Sequence, residues 1–141
     1  MSVVTQMYYC FKSDVLKNAV NLTTDTMYCA LFTTTGTFVA TDTSYTTTGT
    51  EVANANGYLT GGMTAGLSTI TGTSTAIFKI TNNAVWTASG AGFTAGSLKL
   101  YSATNSNRLI CNVDFGSTQT ASGGGTFTIT WDASNGVFNL S

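Results

Sequence analysis

The sequence predicts an all-β chain, an antiparallel β-sandwich of jelly-roll type with one short N-terminal helix. Threonine makes up about a fifth of the 141 residues, and its β-branched side chain suits the pleated face of a sheet better than a helix. Through the C-terminal half, apolar and polar residues alternate with the period of two that a strand imposes. Fifteen glycines and no proline leave the turns to Gly, Asn, Asp and Ser, which cluster between the alternating runs. Short strands joined by such turns form sandwiches. A chain of this length supports one core, hiding about 68–70% of the surface exposed when unfolded.

Residues 1–12 are expected to form an N-terminal arm or first strand, and 13–141 a single sandwich domain. Residues 11–20, FKSDVLKNAV, place Phe11, Val15, Leu16 and Ala19 near helical spacing, with Ser13 or Asp14 able to cap the start. A helix of two turns is marginal alone and should lie on a sheet or a partner. Residues 26–33 carry apolar side chains on both faces, Met27, Cys29 and Leu31 against Tyr28, Ala30 and Phe32, so this strand should be central or covered twice.

Residues 34–74 are rich in Thr, Gly, Ser and Asn, with aromatic anchors at Phe38, Tyr45 and Tyr58, and read as long ordered loops. In 75–81, Ala76, Phe78 and Ile80 oppose Thr75, Ile77, Lys79 and Thr81. In 108–115, Leu109, Cys111, Val113 and Phe115 oppose Arg108, Ile110, Asn112 and Asp114. Each reads as a strand with one wet face. The same holds for 97–102, with Leu98 and Leu100 inward, and for 126–131, with Phe127, Ile129 and Trp131 inward; 137–140 closes the chain as a last strand.

Charged residues are only 8% of the chain and the net charge is −1, so solubility rests on hydroxyls and amides. The five basic residues are scattered and form no run able to neutralise several phosphates, which argues against nucleic-acid binding. No apolar stretch approaches the ~20 residues that span a bilayer. The N-terminus lacks the apolar segment and cleavage site of a secretory signal, so synthesis in a cytoplasm is expected. Cys10, Cys29 and Cys111 form no C-x-x-C pair and have no histidine beside them, which points to free thiols and no metal or other cofactor.

The absence of histidine removes the usual nucleophilic triads. Asp114 and Asp132, on late strands, are the carboxylate pair to weigh for glycoside hydrolysis, and solvated turn and edge roles are the better reading of them, since any six acids in a small domain include some neighbouring pair. Asn21-Leu22-Thr23 and Asn139-Leu140-Ser141 match the glycosylation sequon by chance, and Gly61-Gly62 and Gly123-Gly124-Gly125 read as turns rather than phosphate loops. Aromatic and aliphatic residues on polar faces are the better lead. Tyr101, Ile77 and Ile110 point away from the inferred core, and Met7, Tyr8, Tyr9 and Phe11 lie in the N-terminal segment. Two readings are open: these residues meet another protein, or a second sheet or the long loop covers them.

An ordered series of segments resembles a group of small tailed-phage virion proteins described as capsid decoration or cement proteins. It comprises FKSDVLKNAV, DTMYCALFT from Asp25, and YTTTGTEVANANGYLTGG from Tyr45 to Gly62. Val85-Trp86, LKLYSAT from Leu98, NVDFG at 112–116 and GTFTITWDASNGVFNLS from Gly125 follow in the same order. The family often has a histidine after the first helix and a proline near the last turn, where this chain has Asn21 or a neighbour and Asp132-Ala133. The resemblance implies a non-enzymatic sandwich bound to the outer surface of the icosahedral head. There it would bridge major capsid protein subunits and associate with itself as a dimer or trimer.

On that reading Met7, Tyr8, Tyr9, Phe11, Tyr101, Ile77 and Ile110 are the expected capsid or subunit contacts, and the 34–66 loop shapes the contacting surface. Deleting residues 2–10 is then expected to lower particle occupancy without unfolding the domain. The chief rival is a tail or fibre component, which could use Trp, Tyr, Asn and Asp to bind carbohydrate during host attachment.

Overall fold

A computed structural model describes residues 3–35 and 38–141. The longest alternating segments form the centre of the fold. Strand β7 (Phe93–Ser102) and strand β8 (Arg108–Ala121) pair antiparallel across the Asn105–Asn107 turn. On one side β7 pairs with β2 (Met27–Phe32), which pairs with the two-residue β3 (Met63–Thr64). On the other, β8 pairs with β1 (Val4–Met7), giving the sheet order β1-β8-β7-β2-β3. Two smaller antiparallel sheets pack against it: β10 (Phe138–Leu140), β5 (Ala76–Ile80) and β4 (Ser68–Thr71) in one, β6 (Ala84–Thr87) and β9 (Thr126–Ile129) in the other. The all-β sandwich with one short helix is therefore the fold.

The core follows from side-chain alternation. The large sheet's inner face presents Cys29, Leu31, Leu98, Leu100, Cys111 and Val113, and Phe78, Ile80, Trp86 and Phe127 of the smaller sheets close onto it. Cys29 and Cys111 are each opposite Leu100 on the two sides of β7. Two strand spacings, about 10 Å, separate them, which is beyond disulfide reach, and both are free thiols.

Helix α1 (Tyr9–Leu16) begins earlier and ends earlier than the spacing predicts. Asn18 takes a left-handed φ of 56° and stops it. The Ala19 amide then donates to Asp14 O at 2.8 Å and the Asn18 amide to Val15 O at 3.2 Å, the paired bonds of a Schellman stop. Neither Ser13 nor Asp14 caps the start; Tyr8 holds that position without a side-chain bond. Phe11 enters the main core and meets Phe138 edge-on at 5.5 Å. Asp14, buried beneath the helix, accepts Arg108 Nε at 2.7 Å and a second guanidinium N–H at 3.1 Å, which fastens α1 to the start of β8. Asp14→Ala is expected to cost about 2 kcal/mol in urea unfolding, less than a fully buried pair because water still reaches Arg108.

Three expectations need correction. Of the two readings of residues 1–12, the first strand holds and the separable arm does not, because Val4 to Met7 pair with Asp114 to Cys111 and both Tyr8 and Phe11 are buried. Deleting residues 2–10 would strip an edge strand and a buried ring, so it would not leave the domain folded. The 34–74 stretch is not loop throughout, since it holds β3, β4 and a 3-10 turn at Tyr45–Thr47. The supposedly wet face of β7 and β8 is dry: Ser97, Lys99, Tyr101 and Asn112 are all buried.

Candidate functional site at the covered face and the open strand edges

The dry second face is made by the long loop. The Phe38 and Tyr8 ring centres lie 4.9 Å apart, and Tyr45 stacks on Tyr101 at 4.3 Å with the planes 7° apart; Tyr28 also stacks on Tyr101, at 5.9 Å. Glu51 ties the covering together, accepting the Tyr45 and Tyr58 hydroxyls at 2.5 and 2.6 Å and the Gly61 amide at 2.7 Å. The Tyr101 hydroxyl donates to Gly61 O at 2.7 Å. The Leu31 amide donates to the Tyr58 hydroxyl at 2.9 Å. Burial first, and then the Glu51 charge, pushes Tyr101 up to about 12 and raises Tyr45 and Tyr58 further. All three remain neutral donors across the physiological range.

Under this cover sits a lysine. Lys99 is 1% exposed, and its Nζ donates to the Tyr8 hydroxyl at 2.9 Å and to Asn112 Oδ1 at 3.0 Å. It also lies 5.0 Å from the Phe32 ring centre and 5.6 Å from that of Tyr8, within cation–π range. The Asn112 amide donates onward to Gln6 Oε1 at 3.2 Å. Thr48, close to the Tyr8 hydroxyl, donates its Oγ1–H to Asp42 Oδ2 at 2.6 Å. Polar groups thus lead from the buried amine towards a half-exposed carboxylate.

Between about pH 8 and 10, before the tyrosines ionise in the unfolded chain, the thiols and this amine set the pH dependence of stability. Burial pushes Cys29 up to about 12 and Cys111 higher still. It brings Lys99 down to about 8, against the opposing pull of Asp42 and Asp114. A thiol raised in the folded state loses its proton first in the unfolded chain. From about pH 8.5 upward each cysteine therefore lowers stability by up to about 1.4 kcal/mol per pH unit. A free Lys99 works the other way between about pH 8 and 10.4, where the unfolded chain holds the extra proton. Two thiols outweigh one amine, so Tm in scanning calorimetry should be nearly flat to about pH 8.5 and fall above it. Cys29→Ala should make that fall shallower.

The seven expected contact residues do not share a surface. Tyr8 and Tyr101 belong to the covered cluster, and Phe11 and Ile110 to the main core. Ile110 escapes its expected face through a bulge: Leu100 pairs with Cys111 but Tyr101 pairs with Leu109, so Ile110 is the extra residue and turns inward. Met7 and Ile77 are half-buried, and Tyr9 alone of the seven is widely exposed, with Lys12 Nζ 5.3 Å above its ring. The loop-covered alternative therefore holds for Tyr8 and Tyr101. Asp114 accepts the Gly116 amide at 2.8 Å, and Asp132 accepts the Ser134 and Asn135 amides at 2.8 Å. Those amides, Asn135's first, hold the Asp132 carboxyl below its usual range. Both carboxylates thus serve local turns.

Exposed apolar groups lie elsewhere, on strand edges. Among the described residues, strands β1, β3, β4, β6, β9 and β10 each pair on one side only, and none of the six contains a charged residue. Val4, Ile70, Val85 and Leu140, one on each of four of them, are exposed. Between β1 and β9 runs a groove of about 420 Å³ walled by Val3, Thr5, Phe115, Ile129, Trp131 and Val137. The Trp131 indole N–H is buried beside it without an acceptor among the described residues. Sequence reading missed both features: the edge state depends on pairing order, and the Lys99 cluster depends on register. The one visible signal was a lysine inside the apolar run LKLY.

Compared with known protein families, curated proteins and solved structures, the chain has no match. Among the described residues, no helix is long and apolar enough to cross a membrane.

Proposed function

We propose that this chain is a non-enzymatic structural protein of a tailed-phage virion, a decoration or cement protein on the outer surface of the head that bridges major capsid protein subunits. The observation that carries the reading is the state of the strand edges. Monomeric sheet proteins blunt their edges with lysine, proline or a covering segment, because free N–H and C=O groups recruit foreign strands. Six one-sided strands without a single charge, four of them showing an exposed aliphatic side chain, suit a protein completed by its neighbours. The Trp131 N–H beside the β1/β9 groove offers a donor to a backbone carbonyl entering there. Low charge also limits repulsion between many copies on one shell. Self-association as a dimer or trimer would use the same edges.

Quantitative mass spectrometry of purified virions tests the role. A decoration protein should approach the abundance of the major capsid subunit. A few copies per particle would move the chain to the tail or fibre, and absence from the particle would end the virion reading.

A further inference from the structure

We propose that Lys99 and Asn112 become joined, after folding, by an intramolecular isopeptide bond between Lys99 Nζ and Asn112 Cγ, with release of ammonia. The two residues are directly opposite each other on β7 and β8. Both are 2% exposed or less, and Nζ already touches the amide oxygen at 3.0 Å. Holding an amine against an amide in this way converts a hopeless bimolecular aminolysis into a positioned one, and the dry surroundings exclude the water that would compete. The Tyr8 and Phe32 rings flank Nζ itself, and Gln6 holds the leaving nitrogen through its bond to Asn112 Nδ2.

The step balances without any co-reactant. The Nζ lone pair attacks Cγ, the Cγ–Nδ2 bond breaks, and Nδ2 departs as ammonia carrying the proton that Nζ sheds. The Tyr8 hydroxyl, with Thr48 and Asp42 beyond it, takes up the separate proton that the ammonium must lose before Nζ can attack. Burial disfavours the ammonium, so the amine is in its nucleophilic form at mildly alkaline pH. Nothing here depends on the virion reading, since the bond would form in the isolated chain.

Intact mass spectrometry of the purified, denatured full chain decides the matter. The wild-type mass should fall short of the sequence mass by one ammonia. Proteolysis should yield a branched peptide joining the Lys99 and Asn112 segments, and conversion should be faster at pH 9 than at pH 7. Lys99→Arg and Asn112→Ala should keep the full sequence mass, and Asp42→Asn should slow conversion. A wild-type chain still at full mass after prolonged incubation at pH 9 would overturn the proposal. So would an ammonia loss that persists in Lys99→Arg, because the Asn56-Gly57 and Asn135-Gly136 pairs can lose ammonia by cyclising.

Discussion

Gly62→Ala is expected to destabilise the protein by about 3 kcal/mol or more, enough to consume a large part of a typical domain's stability. Gly62 has φ +76°, and a Cβ there would sit 1.8 Å from Cys29 O and 2.6 Å from the Cys29 carbonyl carbon. Those atoms are backbone of β2 in the centre of the fold and cannot step aside. The turn must move instead, pulling Met63 from its pairing with Cys29 and Gly61 from its bonds with Glu51 and Tyr101. The cover over Lys99 would loosen with it. Gly124→Ala is the control: its φ is +86°, yet a Cβ there meets nothing within 4 Å. Backbone strain alone should cost it about 1 kcal/mol. Chemical denaturation of both variants checks the difference, and equal losses would show that strain rather than the close approach to β2 sets the cost.

Val4→Lys is expected to spare the fold and disable assembly. Val4 is exposed on edge strand β1, so stability should change by less than about 0.5 kcal/mol. A strand or subunit docking on that edge would have to desolvate an unpaired ammonium. Binding to heads lacking this chain should therefore weaken about tenfold or more, the equivalent of 1.4 kcal/mol. Sedimentation of heads with wild-type and variant protein reads the effect. Leu16→Lys, on the helix and away from any strand edge, should bind as the wild type does; equal binding by all three proteins would exclude β1 from the interface.

Much of the fold was legible because alternation is a local signal. Residues 75–81, 126–131 and 137–140 announced β5, β9 and β10, and the doubly apolar 26–33 announced β2 covered on both faces. Strand β6 was not legible: four residues between Asn82-Asn83 and Ala88-Ser89 are too short to show a period. The bulge at Ile110 was invisible for a different reason. It is a property of the pairing between two strands, and it reverses every inward and outward assignment on one side of it.

The covered face was hidden more deeply. A segment rich in Thr, Gly and Asn carries no hydrophobic period, yet Phe38, Tyr45 and Glu51 suffice to seat it on the sheet. Tyr8 and Tyr101 were read as exposed from a face that this loop covers, so they turned from interface to interior. The edge strands, which carry the functional proposal, became identifiable only from strand order.

Amide hydrogen exchange, measured on the free protein and on the same protein bound to heads, tests most directly whether neighbours complete these sheets. The account predicts fast exchange along the open sides of β1, β4 and β10 in the free chain and strong protection of at least one of them when bound. Exchange unchanged on every edge strand, with protection confined to turns, would contradict it.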